Sequence, residues 1–395
     1  MSQWPMVKLG DVAQIISGLT FKKTEVKDQP DTTFNCGVIR ATNFHNSTLN
    51  LNNLVYAPNS IVKQHQLLSP NDIAIIASSG SLTTIGNVAL VDFNKQISFG
   101  AFLRVIRVKS DRILTKFLFH FLSSNATQKR LKSLSQGANI KNLRQADLLN
   151  LKIPLPPLEE QRRIARVLRH STLQISSVNK TIDKLDIARQ GCIEEYATDP
   201  SKSVRLDGLA DLQGGLSLSR TREVNPVEVE YLRVANVQRN NLILTNLKTI
   251  RCTEKEIERC SVKDGDILML EANANPLEVG RAAIAAVESR HMVFQNHLFR
   301  VRPTEVSPIV LNALLSSVSV RKQLLRLAKT TSGLNTMTIS QARSLRIPLR
   351  DESTTREFER QLTRIEQQKE ILTAKLVFLE ELHRSLATRA FAGQL

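Results

Sequence analysis

The chain has 395 residues, 42% of them apolar and 23% charged, the balance of a folded protein with room for about two to four domains. Lysine and arginine number 54 against 37 aspartates and glutamates, a net charge of +17, which disfavours acidic partners and favours polyanions, nucleic acid ahead of an anionic membrane. No apolar run approaches the ~18 residues of a membrane span, Met1-Ser2-Gln3-Trp4-Pro5 lacks the profile of a secretory signal, and four cysteines make no disulfide framework, so the expected location is the reducing cytoplasm.

Residues 1–154 read as a globular domain of mixed α and β structure. Short β-branched runs at 38–39, 73–76, 88–91 and 103–106 predict strands. Leu114, Phe117, Leu118, Phe121 and Leu122 follow helical spacing. Polar loops separate these elements, among them 78–84 and 135–142. Residues 155–199 form a connector. After Pro157, which suits a first helical turn, a stretch free of proline carries Ile164, Leu168, Ser171, Ile175, Val178, Ile182, Leu185, Arg189, Cys192 and Tyr196 at alternating steps of four and three. That is a heptad seam, and a helix over 158–196 would be roughly 58 Å long. Gly191 is expected to interrupt it late, and Asp199-Pro200 to end it.

Residues 200–348 then repeat the first domain and 349–395 repeat the connector. Val7-Lys8-Leu9 returns as Val204-Arg205-Leu206, and Gly18-Leu19-Thr20 as Gly215-Leu216-Ser217. Arg40-Ala41-Thr42-Asn43 returns as Arg233-Val234-Ala235-Asn236, Asp72-Ile73 as Asp266-Ile267, and Gly86 as Gly280. Leu151-Lys152-Ile153-Pro154-Leu155 returns as Leu345-Arg346-Ile347-Pro348-Leu349. The second seam is Phe358, Leu362, Ile365, Lys369, Leu372, Leu376, Leu379, His383, Leu386 and Ala390, each 194 residues after its counterpart. Thr354 to Glu357 has the pattern of a capping box opening this helix. A period of about 194 is too long for a solenoid. Because domain termini usually lie close together, the second helix is expected to return along the first, zipping the seams into an antiparallel coiled coil. The expected fold is therefore mixed α and β, with two globular domains related by a pseudo-two-fold axis and separated by two long antiparallel helices.

Catalytic signatures are missing. There is no phosphate loop, no Gly-x-Ser-x-Gly elbow and no Asn/Asp-Pro-Pro-aromatic motif. Asn275-Pro276-Leu277 and Asn225-Pro226-Val227 fall short of the last. Cys252, Cys260, His291 and His297 resemble a metal set only loosely, since the cysteine spacing is wider than a zinc pair uses and the first half has no counterpart. No catalytic or metal-binding residue is assigned. The basic and polar loops are a better match to the charge. Lys22 and Lys23 match Arg220 and Arg222 just after a glycine turn, and Arg40 and Asn43 match Arg233 and Asn236. Ser79, Ser81, Thr83 and Thr84 match the loop bearing Asn273 and Asn275, while Asn139, Lys141 and Asn142 match Asn335 and Thr336. Cations serve phosphates, and Arg, Asn and hydroxyl side chains read base edges. Aromatics make up 5% of the chain and do not interleave with the cations, which favours duplex DNA over a single-strand stacking platform.

Ile153-Pro154-Leu155-Pro156-Pro157-Leu158-Glu159-Glu160-Gln161-Arg162-Arg163-Ile164-Ala165 resembles the central region of type I restriction–modification specificity subunits. The ending Leu386-Ala387-Thr388-Arg389-Ala390-Phe391-Ala392-Gly393-Gln394-Leu395 is similar to that family's C-terminus. The resemblance covers the whole chain. It departs at the second junction, where Leu349-Arg350-Asp351-Glu352 replaces the Pro-Pro-Leu-Glu-Glu-Gln run. The resemblance implies two target recognition domains, each reading half of a bipartite, asymmetric double-stranded DNA site, with the helix pair setting the spacer. It implies as partners two modification subunits, which carry S-adenosylmethionine-dependent adenine methylation, and restriction/translocase subunits using ATP and magnesium. This chain itself is expected to bind no cofactor. The rival expectations are a self-contained methyltransferase with atypical motifs and a non-catalytic coiled-coil scaffold.

Overall fold

A computed structural model describes residues 4–45, 47–135, 141–198, 203–288, 290–328 and 334–395. The chain divides into two compact units, Met1–Asn179 with Ala374–Leu395, and Lys180–Thr373.

In the first unit the run Ile73–Ile76 is buried at every position. The reason is that its two faces serve two cores. Ile73 and Ile75 pack with Phe117, Leu118 and Leu122 of the helix Thr115–Ser123. Ala74 and Ile76 pack with Ile39, Ile97 and Phe99 of a neighbouring sheet. A strand covered on both sides reads as a continuous apolar run rather than an alternating one. It lies in a four-stranded antiparallel sheet ordered Ala13–Ser17, Leu103–Val108, Ile73–Ile76, Val88–Leu90. The second sheet pairs Ile97–Phe99 parallel to Phe34–Ile39, and Phe34–Ile39 antiparallel to Val55–Pro58. Met6–Lys8 pairs with Lys152–Pro154 and closes the globular part on itself.

The second unit repeats this plan. Its four-stranded sheet runs Ala210–Gly214, Leu298–Pro303, Ile267–Leu270, Ala282–Ile284. Its three-stranded sheet runs Lys248–Cys252, Val227–Leu232, Met292–Phe294, and Ser203–Arg205 pairs with Arg346–Pro348. Two matched features explain parts of the sequence repeat. A Cβ on Gly86 or Gly280 is disfavoured because both have positive φ, +82° and +72°, where L side chains are strained. The repeated Asp-Ile dipeptide places a buried carboxylate at the start of each inner strand. Asp72 accepts two bonds from the Arg107 guanidinium, 2.7 and 2.8 Å, and one from the Ser69 amide. Asp266 does the same with Arg302, 2.6 and 2.8 Å, and the Lys263 amide.

The long helices are Leu158–Tyr196 and Glu352–Phe391, and the unit boundary falls inside both. Within each unit the two helical segments run antiparallel. In the second unit Asp186 meets Lys369, Arg189 meets Glu366 at 2.6 Å, and Tyr196 stacks on Phe358 with centroids 4.3 Å apart. In the first unit Ser171 Oγ and His383 Nδ1 lie 2.7 Å apart, and Ile164 and Leu168 share a core with Ala387 and Ala390. Of the seam residues, Ile164, Leu168, Val178, Phe358, Leu362 and Leu379 are buried. Ile175, Ile182, Leu185, Ile365, Leu372, Leu376 and Leu386 are half-buried. Among the described residues no helix is long and apolar enough to cross a membrane.

Two expectations about these helices are corrected. Gly191 does not interrupt the first helix. It faces open space, so its cost is a propensity penalty of about 1 kcal/mol, offset by the buried Arg189, Ile193 and Tyr196 on either side. The second helix does not open on a Thr354–Glu357 capping box. It starts at Glu352, and the Asp351 carboxylate accepts from the Thr354 amide at 3.0 Å. Bonds from the Ser353 hydroxyl and from Thr354 hold that carboxyl far below its usual range.

Removing Asp72 deprives the Arg107 guanidinium of its carboxylate and leaves it only Leu67 O. Asp72→Ala should destabilise the first unit by about 3 kcal/mol, read as lost hydrogen-exchange protection of Ile73–Ile76 and Val88–Leu90 with Ile267–Leu270 unaffected. A second prediction concerns acid. Burial, and to a lesser degree His383, lowers His120 from 6.5 to about 4. The unfolded chain takes up this proton below about pH 6.5 and the folded one only near pH 4. The contribution is therefore complete above pH 6.5 and lost as pH falls toward 4. Stability should drop on the order of 2 kcal/mol between pH 7 and pH 5 from this residue. His120→Leu should remove that part of the pH dependence in unfolding experiments.

Candidate nucleic-acid interface

The loops singled out in the sequence gather at one edge of the first unit because four strand ends are pinned together there. A Cβ on Gly18 would lie 2.2 Å from Gly100 O, so the two backbones cross where no side chain fits. Leu19 N–H donates to Phe99 O at 2.7 Å, and Gly100 N–H to Ile39 O at 2.9 Å. Ala77 and Ser78 N–H both donate to Phe102 O, 2.9 and 3.0 Å, and Leu143 N–H donates to Ala77 O at 2.8 Å. The last contact continues into a two-stranded ribbon of Ser78–Ser79 against Lys141–Asn142.

Around this junction stand exposed Lys22 and Lys23, exposed Arg40, and the hydroxyl loop. Ser79 and Thr84 hydroxyls bond at 2.6 Å, Ser81 and Thr83 at 2.7 Å, and Ser78 Oγ donates to Asn142 at 2.8 Å. The turn at its centre presents Phe102, 64% exposed, and is backed by Arg104, whose guanidinium donates to Ala101 O and Leu103 O. Burial lowers the Arg104 pKa from its ordinary value.

The second unit builds the same edge from different side chains. A Cβ on Gly215 would lie 2.3 Å from Gln295 O. Leu216 N–H donates to Phe294 O at 2.8 Å, and Gln295 N–H to Leu232 O at 3.0 Å. Glu271 N–H donates to His297 O and Met337 N–H to Glu271 O, both at 3.0 Å. The ribbon here is Ala272–Asn273 against Asn335–Thr336, with the Asn335 amide donating to Ala274 O at 3.0 Å and Asn275 capping Leu277 N–H at 3.0 Å.

Several expected contacts turn out to be framework. Asn43 and Asn236 are each 3% exposed. Asn43 accepts from Arg40 N–H and donates to Asn50 O and Asn52 O; Asn236 accepts from Arg233 N–H and donates to Ile243 O. They hold their loops shut and are withdrawn from the surface. The Arg40 and Arg233 guanidinium groups each brace an asparagine at positive φ, Asn53 O at 3.3 Å and Asn246 O at 3.1 Å. Arg222 is paired with Glu256 at 3.0 Å and donates to Ser217 O at 2.6 Å, so its charge is neutralised within the fold; the same pair lowers the Glu256 carboxyl. Arg220 lies in the turn Arg220–Val224, and Asn139 lies outside the described residues. Cys252 and Cys260 are buried, and no group of three or more metal-ligating side chains occurs among the described residues.

Phe102 in the first unit, and Glu271 and His297 in the second, were not among the expected site residues. They sit at the junction in both units, yet nothing in the repeat marks them, because the copies differ there.

The family model described as type I restriction modification DNA specificity domain matches residues 1–186. The chain is 30% identical over 351 residues to the type I restriction enzyme EcoKI specificity subunit of Escherichia coli K12, covering 84% of this chain and 75% of that one. It is 26% identical over 415 residues to the StySPI specificity subunit of Salmonella potsdam, covering 99% and 89%. The S subunit of a type I restriction–modification system from M. genitalium superposes with a TM-score of 0.56 at 14% identity, over 99% of this chain and 96% of that one, and so shares the fold. On the strength of the similarity to the Escherichia coli protein across most of both sequences, the chain belongs to the type I restriction enzyme specificity subunits.

Proposed function

We propose that this chain is the sequence-reading subunit of a type I restriction–modification complex in the cytoplasm. Each unit reads one half of a bipartite, asymmetric site on double-stranded DNA, and the length of the paired helices sets the unread gap. Two modification subunits bring S-adenosylmethionine and methylate adenine. Restriction/translocase subunits bring ATP and magnesium. This chain contributes recognition and takes no cofactor.

The observation that carries this reading is the pair of matched edges. The same backbone crossing, the same strand-end hydrogen bonds and the same ribbon recur in both units, while the side chains mounted on them differ. A constant frame carrying variable side chains is what two readers of two different half-sites require. The excess of cations supplies the sequence-independent attraction to phosphate.

The test is to exchange residues 200–348 for the equivalent segment of a relative and to map methylated adenines in cells carrying the modification subunit. One half-site should change and the other persist; a map in which both change, or neither, refutes the assignment of one half-site to each unit. A second prediction separates phosphate contacts from base contacts. Lys22→Ala and Lys23→Ala should each weaken binding of the complex to all duplexes alike and reduce the slope of log affinity against log salt by about one, with the methylated sequence unaltered.

A further inference from the structure

Glu271 is an anomaly on a surface built for a polyanion. Its main chain is fixed on both sides, the N–H to His297 O and the C=O to Met337 N–H. Leu270 before it is fully buried, and Glu271 joins the end of the strand Ile267–Leu270 to the ribbon strand Ala272–Asn273. The side chain is 28% exposed. Burial raises the pKa of its carboxyl, partly opposed by His297. Among the described residues no lysine or arginine lies within ion-pair distance of it; the His297 ring lies beside it, Nδ1 to Oε2 3.8 Å.

A half-desolvated carboxylate without a cation costs free energy, and next to phosphates it costs more. Such a group is tolerated on a DNA-facing edge where it meets a hydrogen-bond donor. In the major groove the donors are the exocyclic amines, N4 of cytosine and N6 of adenine, whereas guanine O6/N7 and thymine O4 are acceptors that a carboxylate repels. The first unit supplies the contrast. The residues bonded in the same way there are Ala77 and Phe102, one too small to reach a base and the other an exposed ring suited to an apolar contact.

We propose that Glu271 is a specificity-determining residue of the second unit, accepting a hydrogen bond from the exocyclic amine of one base in the second half-site, with His297 positioned beside it as part of the same reading surface. This rests on the assignment of the second unit as a DNA reader.

The experiment uses the assembled methyltransferase complex and a panel of duplexes that carry each of the four base pairs at every position of the second half-site. The wild-type rates identify the specified positions, each of which carries an exocyclic amine on one strand, and the position that relaxes in the variant says whether the base contacted is cytosine or adenine. In Glu271→Gln, discrimination at that one position should fall roughly tenfold, with the first half-site and the remaining positions of the second unchanged. Unaltered discrimination at every position of the second half-site would overturn the inference, as would a loss spread evenly over both half-sites. Should the glutamine variant assemble poorly, Glu271→Ala combined with His297→Phe installs the pair of the first unit, and competition binding of the same panel gives the same reading: relaxed or altered preference at one position supports the role, and an unchanged preference rejects it. A wild-type complex that discriminates nothing in the second half-site would instead refute the underlying assignment of the second unit.

Discussion

The architecture of each unit depends on a crossing of two backbones too close for a side chain. At Gly18 and Gly100, and again at Gly215 and Gln295, the chain passes within a distance that a methyl group would violate. That contact fixes the end of the first strand of the four-stranded sheet against the turn leading into its neighbour. The hydrogen bonds from Leu19, Gly100, Ala77 and Leu143 then follow from one geometry. Everything mounted on the edge inherits its position: the lysine turn, the hydroxyl loop, the ribbon and Phe102. Precision at a reading surface comes from such framework contacts, because a loop free to move by an ångström cannot distinguish one donor–acceptor pattern from another.

The parts legible from sequence were those with a short period or an internal copy. The heptad seams could be followed residue by residue, and the strand Ile73–Ile76 announced itself as an uninterrupted apolar run. The Asp72/Asp266 match was visible as a repeat, but its partner was not, since the Arg107 and Arg302 pairings are contacts between strands distant in sequence. Asn43 and Asn236 show a subtler failure. They recur because they lock a loop from inside, and recurrence alone does not distinguish a buried brace from an exposed reader. What the copies share is the frame. Phe102, Glu271 and His297 are illegible by that route because the two copies carry different side chains there.

The polar interruptions of the seams divide in the same way. Arg189 is 5% exposed and is answered by Glu366, and Asp186 is answered by Lys369. In the first unit the corresponding level holds Ser171 and His383. A cation buried in a helix interface is costly unless a carboxylate meets it, so these pairings say which segment of helix belongs opposite which.

That has a bearing on the history of a duplicated chain. Two fresh copies of one gene segment are interchangeable, and either helix could replace the other. Here they are not. Moving back by the period of 194, the place of Glu366 is taken by Thr172 and that of His383 by Arg189 itself. A molecule reverting to two first copies would leave each Arg189 facing hydroxyls, a mismatch of roughly 3–5 kcal/mol for an uncompensated buried charge. The two halves have thus ceased to be spare parts for one another. The paired charges and hydroxyls make the two helices a matched set that penalises pairing like with like.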